Sequence, residues 1–403
     1  MKVGSFSALR HRDFRLLFLG QWVSITGSQM QVVAVTWNVW VLTRSPFALG
    51  AVGLARIVPV IVFSLLGGIA ADARDRKKVM LVTQTVLMAV SIGLGLLTFL
   101  RIPAVWPVFL LIAVGGAATA FDLPARQALV PRLVPEGDLA RALSMNVILF
   151  QAATLAGPVV AGWLIAERGL AVVYFLDAAS FVAVLAAVLA IRAPGAVGGS
   201  RRSPWEDLKG GLAFVWRSPL IVSTMTLDFV ATFFASAMAL LPIFADQILR
   251  VGPRGLGLLY GAPAAGAIVT GLILAVLPAP KAQGRTILVA VASYGAATIL
   301  FGFSRSFALS LSALAAAGAS DTISTVLRST LRQLTTPDAL RGRMTSINMV
   351  FFMGGPQLGE FEAGLLAGWL SAPASVVIGG AACMAAVAAT AALGRTLRGY
   401  RSP

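Results

Sequence analysis

Cys383 is the only cysteine and His11 the only histidine in 403 residues. One cysteine permits no internal disulfide and no cysteine cluster, and one histidine excludes histidine-based metal sites and relays. Charge is scarce as well. Asp, Glu, Lys and Arg make up 12% of the chain, against about 25% in a water-soluble domain. The sequence has no GxxxxGKS/T, no HExxH and no nucleophile elbow, so nothing supports an ATP-driven pump, a metalloprotease or an acyl-transfer enzyme. No metal, no prosthetic group and no enzymatic activity are expected.

Apolar residues are abundant, at 58%. A chain of this length cannot bury that much apolar surface in its own core, so it needs lipid. About 20 apolar residues cross a bilayer as a helix. Twelve runs qualify, at roughly 15–42, 47–71, 79–100, 105–126, 143–166, 170–191, 219–248, 255–277, 286–304, 307–331, 344–370 and 373–394. The expected fold class is an all-α membrane protein with twelve transmembrane helices. The polar, basic start MKVGSFSALRHRDFR leads into a run too long and too polar for a cleaved signal, so the first span is expected to be retained.

The basic residues are unevenly placed. With the N-terminus inside, 25 of the 32 Lys and Arg residues fall on the inner side, six fall on the outer side, and Arg56 lies within a span. This is the positive-inside asymmetry. It places both termini on the cytoplasmic side of the membrane. It also accounts for the net charge of +16 without nucleic acid as a partner. The lipid bilayer is the partner expected from these features, with the chain acting as a monomer.

One stretch occurs twice. RQALVPRLVPEGDLARALSMN starts at Arg126, and RSTLRQLTTPDALRGRMTSIN starts at Arg328, 202 positions later. Arg126/Arg328, Pro135/Pro337, Arg141/Arg343, Ser144/Ser346 and Asn146/Asn348 are identical at that offset, as are Gly157/Gly359 and Gly162/Gly364 downstream. Two halves of one design follow. Residues 1–192 read as an N-terminal six-helix bundle and 219–403 as a C-terminal one. Between them, 193–218 reads as a cytoplasmic linker, Gly-rich at first and then a short amphipathic helix over 204–216.

These features resemble the major facilitator superfamily. GGIAADARDRKKV, between spans two and three, is similar to that superfamily's motif A: Gly68, Asp72, Arg76 and Lys77 match, while Ala73 replaces the usual Arg and Asp75 the usual Gly. FDLPARQALVPRLVP with LSMN and AGPVVAG, and TPDALRGRMTSINMVF with LGEFEAG, resemble the bacterial exporter branch of enterobactin-exporter-like and macrolide-efflux-like proteins. The resemblance implies a gate on the inner side. Gly68 would allow close helix approach. Asp72 would meet the positive end of span eleven, and Arg76 and Lys77 would add to the gate or only orient the chain.

Asp122 and Arg126 are four apart on one helix face, in the favourable order for a pair. They form either a local ion pair or a part of the gate, and Arg328 repeats Arg126 in the second half. Gly157, Pro158 and Gly162 lie in span five and permit a bend and close packing, in partial likeness to the superfamily's antiporter signature.

Charged groups deep in a bilayer cost about 2.5–3.5 kcal/mol each, which marks them as pathway candidates. Asp228, Glu360, Asp321, Asp177, Glu362 and Arg56 are the set, and each is either a proton carrier or a hydrogen-bonded structural group. Asp321 stands seven before Arg328, which reads as too far for direct pairing. Span one carries Gln21, Ser24, Ser28 and Gln31 with Trp37, so it is expected to line a central cavity, and Trp40 is expected to anchor at an interface.

The expected function is proton-coupled export, by alternating access, of a medium-sized amphipathic compound such as a siderophore, a drug or a secondary metabolite. The resemblance implies a bacterial plasma (inner) membrane, with a small-molecule substrate and protons as further partners. Uptake of a solute through the same fold, or a membrane sensor or scaffold that does not transport, are the alternatives.

Overall fold

The computed structural model describes residues 7–193, 215, 216, 218–278, 280–393 and 395–400, without the side chains of 65, 71, 72, 338–343, 345–353, 393, 395 and 396. The linker helix expected over 204–216 therefore lies outside the described residues except for its last two positions.

Among the described residues every regular element is helical. Twelve are long: α1 (Arg12–Thr43), α2 (Pro46–Ala73), α3 (Arg76–Phe99), α4 (Trp106–Leu129), α5 (Glu136–Arg168), α6 (Leu170–Ala190), α7 (Pro219–Phe234), α8 (Gly252–Val276), α9 (Gln283–Phe303), α10 (Phe307–Thr335), α11 (Asp338–Trp369) and α12 (Ala372–Leu393). Ten described stretches, including Pro219–Ile248, are long and apolar enough to cross a membrane. The other two long helices are α1 and α11, and α1 is diluted by its glutamines, serines and threonines. Val82, Phe99, Val147, Ile148, Leu189, Leu272 and Val276 are all exposed. Large apolar side chains turned outward along whole helices are what a lipid-facing surface requires.

Local chemistry sets the helix ends. Asp75 caps α3, accepting from the amides of Lys77 and Lys78, so the acid at the motif's glycine position starts a helix. Gly169, at φ +85°, separates α5 from α6, a conformation that glycine adopts without steric cost. The seventh apolar run departs from expectation. It is not one helix: α7 ends at Phe234, and the chain continues through short turns over Met238–Leu240, Leu241–Ile243 and Phe244–Ile248. The break frees backbone carbonyls at membrane depth, where water does not satisfy them. Tyr294 Oη donates to Ala235 O at 3.2 Å, and Tyr260 Oη donates to Met238 O at 3.0 Å. Two tyrosines of the same unit thus make the break tolerable.

Cα packing separates two compact units, Met1–Thr43 with Ala55–Arg201, and Arg44–Leu54 with Arg202–Pro403. In the first, α1 packs on α5 and α6, and α3 on α4 and α6. In the second, α7 packs on α11 and α12, and α9 on α10 and α12. The pairings are the same with each helix number raised by six. Glycines confirm this at atomic scale. A Cβ on Gly116 would lie 2.5 Å from Arg56 O, and one on Gly318, 202 positions later, 2.0 Å from Pro263 O. A Cβ on Gly157 would lie 2.8 Å from Thr26 O, and one on Gly359 2.2 Å from Phe233 O. In each half, only a residue without a side chain lets the two backbones meet.

Candidate functional site

In the second unit the charged residues come together. Arg328, on α10, is 1% exposed and Asp228, on α7, is 5% exposed. Arg328 Nη2 donates to Asp228 Oδ1 at 2.7 Å and lies 3.8 Å from Asp321 Oδ1. It also donates to Thr325 Oγ1 at 3.1 Å. Asp321 is half-exposed. One guanidinium therefore serves two carboxylates, one sealed and one open. The expectation that Asp321 stands too far from Arg328 is corrected. Two helical turns separate their Cα atoms by about 10 Å, but helical side chains lean toward the N-terminus, and the long arginine covers the gap. Arg328 also belongs with the buried acids here, whereas its repeat of Arg126 had placed it with the gate.

Glu360 is half-buried and packs against the start of α2: a Cβ on Gly53 would lie 3.2 Å from its Oε2. Glu362 is half-buried on the same helix. Arg56 is half-buried, and among the described residues no ion pair forms on it.

In the first unit Asp177 is fully buried. Its Oδ2 accepts from Ser91 Oγ at 2.6 Å and from Gln31 Nε2 at 2.8 Å. Its Oδ1 is buried without a hydrogen-bond partner, against Gly27, where a Cβ would lie 2.8 Å away. α1, α3 and α6 thus share one polar node of neutral donors around an acid. Gln31 had been assigned to the cavity wall, yet it is tied into this node. Gln21, Ser24 and Trp37 are buried, while Ser28 is half-buried. Trp40 is 2% exposed and packs in the interior, not as a surface anchor.

Asp122 is buried and accepts from Thr83 Oγ1 at 2.9 Å and from Gln84 Nε2 at 2.8 Å. Arg126 Nε stands 3.9 Å from its other oxygen. The pair expected from spacing is present, and the acid mainly clamps α3 to α4. Arg76 is buried and donates to Ala128 O at 3.4 Å. Lys77 Nζ donates to Ile191 O at 2.5 Å, at the end of α6. Among the described residues nothing lies within 4 Å of a Cβ placed on Gly68, while one on Gly67 meets a neighbour, at 2.1 Å from Ala120 O. The side chain of Asp72 lies outside the described residues. A cavity of about 780 Å³ opens between α2, α3 and α4, lined by Val79, Val82, Val86 and Phe121 with Arg74 and Lys78 among its walls. α5 runs unbroken through the buried Pro158, and Gly162 is buried beside it.

Sequence reasoning missed Ser91, Gln84 and Arg332. Arg332 alone carried a signal, being four residues beyond Arg328 on one helix.

The transmembrane secretion effector family matches residues 3–398. The chain is 27% identical over 370 residues to the enterobactin exporter EntS of Escherichia coli O1:K1, covering 92% of this chain and 89% of the relative, with the same figures for EntS of Shigella boydii serotype 18. Among solved structures, a bacterial homologue of the iron transporter ferroportin in its inward-facing state superposes with a TM-score of 0.68 at 15% identity, covering 93% and 98% of the two chains. The nucleoside transporter NupG superposes at 0.71 and 14%, covering 96% and 98%. These two likenesses concern the fold. With the family match spanning nearly the whole sequence, the chain belongs to the transmembrane secretion effector family, a multi-pass membrane transporter in the exporter branch of the major facilitator superfamily.

Proposed function

We propose that this protein is a proton-coupled exporter in a bacterial inner membrane, moving a medium-sized amphipathic compound, such as a siderophore, outward by alternating access. Both termini lie in the cytoplasm on this reading. The likeness to the enterobactin exporter supports the substrate class. The observation that carries the coupling is the single buried guanidinium of Arg328 between Asp228 and Asp321.

Two carboxylates compete for one cation. With both ionised, Arg328 holds Asp228 and neutralises the sealed acid. A proton on Asp228 removes that attraction and leaves Arg328 to Asp321. Loss of the proton restores the first pairing. The proton therefore sets which helix the arginine on α10 is bound to, α7 or its own. This is a two-position element of the kind that coupling needs. Glu360 and Glu362 in the second unit, and Asp177 in the first, stand as further candidate proton carriers, and Asp72, Arg76 and Lys77 as the inner gate.

Efflux from everted vesicles or energised cells loaded with a fluorescent siderophore tests this. Export that collapses on adding an uncoupler, and that is lost in Asp228→Asn while the protein still inserts, is the expected result. Uncoupler-resistant export would end the proton-driven reading, and accumulation instead of efflux would reverse the direction.

A further inference from the structure

Beyond the Asp228 pair, one face of α10 carries a row of buried polar atoms without partners. Ser324, Arg328, Arg332 and Thr336 recur every fourth residue, so all four lie on one side of the helix and its end. They are 1%, 1%, 8% and 4% exposed. Ser324 Oγ, Arg328 Nε, Arg332 Nη1 and Thr336 Oγ1 are each buried with no hydrogen-bond partner. Every one of these atoms except the hydroxyl lone pairs is a donor.

Arg332 is the sharpest case. Its guanidinium is nine-tenths buried, and among the described residues no acid pairs with it. Asp228 is engaged by Arg328. Asp321 lies eleven residues back, about 16 Å along the axis. Arg328 is itself a like charge one turn away, which raises the cost of burying Arg332. The helix C-terminus offers partial compensation, since Arg332 sits in the last turn of α10, but that effect is weaker than the penalty for desolvating a guanidinium. Two arginine forks about 6 Å apart along a helix, leaning back toward the hydroxyl of Ser324, match the oxygen atoms of one carboxylate or phosphate.

We propose that this face of α10 is an anion-binding site, with Arg332 and Arg328 as its cationic floor and Ser324 as a hydroxyl donor, taking a carboxylate or phosphate group. The site rests on the exporter reading only for its purpose, which is to hold an acidic group of the transported compound. The same chemistry serves inorganic phosphate or the phosphate of an anionic lipid headgroup.

The test uses the full chain in nanodiscs of phosphatidylcholine, with thermal unfolding followed at constant ionic strength set by sodium chloride. Sodium benzoate and inorganic phosphate are titrated separately, and phosphatidylglycerol is incorporated in a third series. A ligand that binds the folded state raises the midpoint. At least one of the three is expected to do so. A response to benzoate or phosphate assigns the site to a soluble anion, and a response to phosphatidylglycerol alone assigns it to a headgroup. Arg332→Gln is expected to unfold at a higher temperature than the parent without ligand, because an uncompensated charge is gone. It is also expected to bind the responding anion about tenfold more weakly or not at all. Ser324→Ala is expected to weaken binding with little change in unliganded stability. No response to any of the three, or an unchanged response in Arg332→Gln, overturns the site. So does a lower unliganded midpoint in Arg332→Gln, since that would reveal a structural partner. These readouts involve no transport, so failure of export leaves the site standing, and its failure leaves proton-driven export standing.

Discussion

Arg328 on α10 donates to Asp228 on α7 at 2.7 Å, and both side chains are sealed from solvent. Breaking a buried pair by removing one partner costs about 3–5 kcal/mol, because the remaining charge stays buried. Asp228→Asn and Arg328→Gln are each expected to lose stability of that order in chemical unfolding of the detergent-solubilised protein. The double variant, with no charge left to strand, is expected to recover most of it. Recovery of fold without recovery of export separates the structural part of the pair from its part in coupling. A double variant whose loss equals the sum of the two single losses would show that the two residues do not act on each other.

Motif A contains two adjacent glycines with opposite surroundings. A Cβ on Gly67 would meet Ala120 O at 2.1 Å, and one on Gly68 would meet nothing within 4 Å among the described residues. Gly67→Ala therefore forces α2 from α4, at the roughly 1–3 kcal/mol typical of overpacking. Gly68→Ala removes backbone freedom from a helix interior at no steric cost, and is expected to leave stability unchanged or raise it by up to about 1 kcal/mol. Thermal unfolding of both variants reads the difference. Equal losses in the two would contradict this packing of α2.

Much of this architecture was legible in the sequence. Eleven of the twelve apolar runs gave single long helices and the seventh gave α7 with three short helical pieces, because crossing a bilayer sets a minimum apolar length. The pair Asp122–Arg126 followed from i,i+4 spacing alone. The 202-residue offset paired Gly157 with Gly359, and each meets a neighbouring backbone at the equivalent place. What stayed hidden depends on tertiary contact. Asp228 and Arg328 are 100 positions apart, and no periodicity relates α7 to α10. The node of Gln31, Ser91 and Asp177 draws on three helices, and its polar residues on α1 read equally well as a cavity wall. The break after Phe234 was masked because the residues that follow it are as apolar as a helix core.

Asp75 replaces the motif's usual glycine and caps α3 through the amides of Lys77 and Lys78, at 2.9 and 3.4 Å. Asp75→Ala is expected to cost about 0.5–2 kcal/mol, while Asp75→Gly, which restores the usual residue, costs only a few tenths. Chemical unfolding distinguishes the two. If Asp75→Gly is as damaging as Asp75→Ala, the acid has a role besides capping.

The break in the seventh run rests on two phenol hydroxyls. Tyr294→Phe and Tyr260→Phe each leave a carbonyl of the break, Ala235 O or Met238 O, without its side-chain donor. An unsatisfied buried acceptor costs about 1–3 kcal/mol. Hydrogen exchange over residues 235–243 is expected to quicken in both variants, with little change in the first unit. Uniform quickening throughout the chain would indicate global destabilisation instead.

Asp177 offers a comparison between hydrogen bonding and charge. Its Oδ2 accepts two donors and its Oδ1 has none, and the groups that bind it are neutral. The amide of Asp177→Asn can present its oxygen to Ser91 and Gln31 and keeps nearly the same volume beside Gly27, without any charge. That variant is expected to be at least as stable as the parent. Asp177→Ala strands both donors and opens a void, at about 1–3 kcal/mol. Should Asp177 also take part in coupling, Asp177→Asn would lose uncoupler-sensitive export while its unfolding midpoint held. A fall in midpoint equal to that of Asp177→Ala would mean instead that an ionised carboxylate is required here, and that a cation not yet identified compensates it.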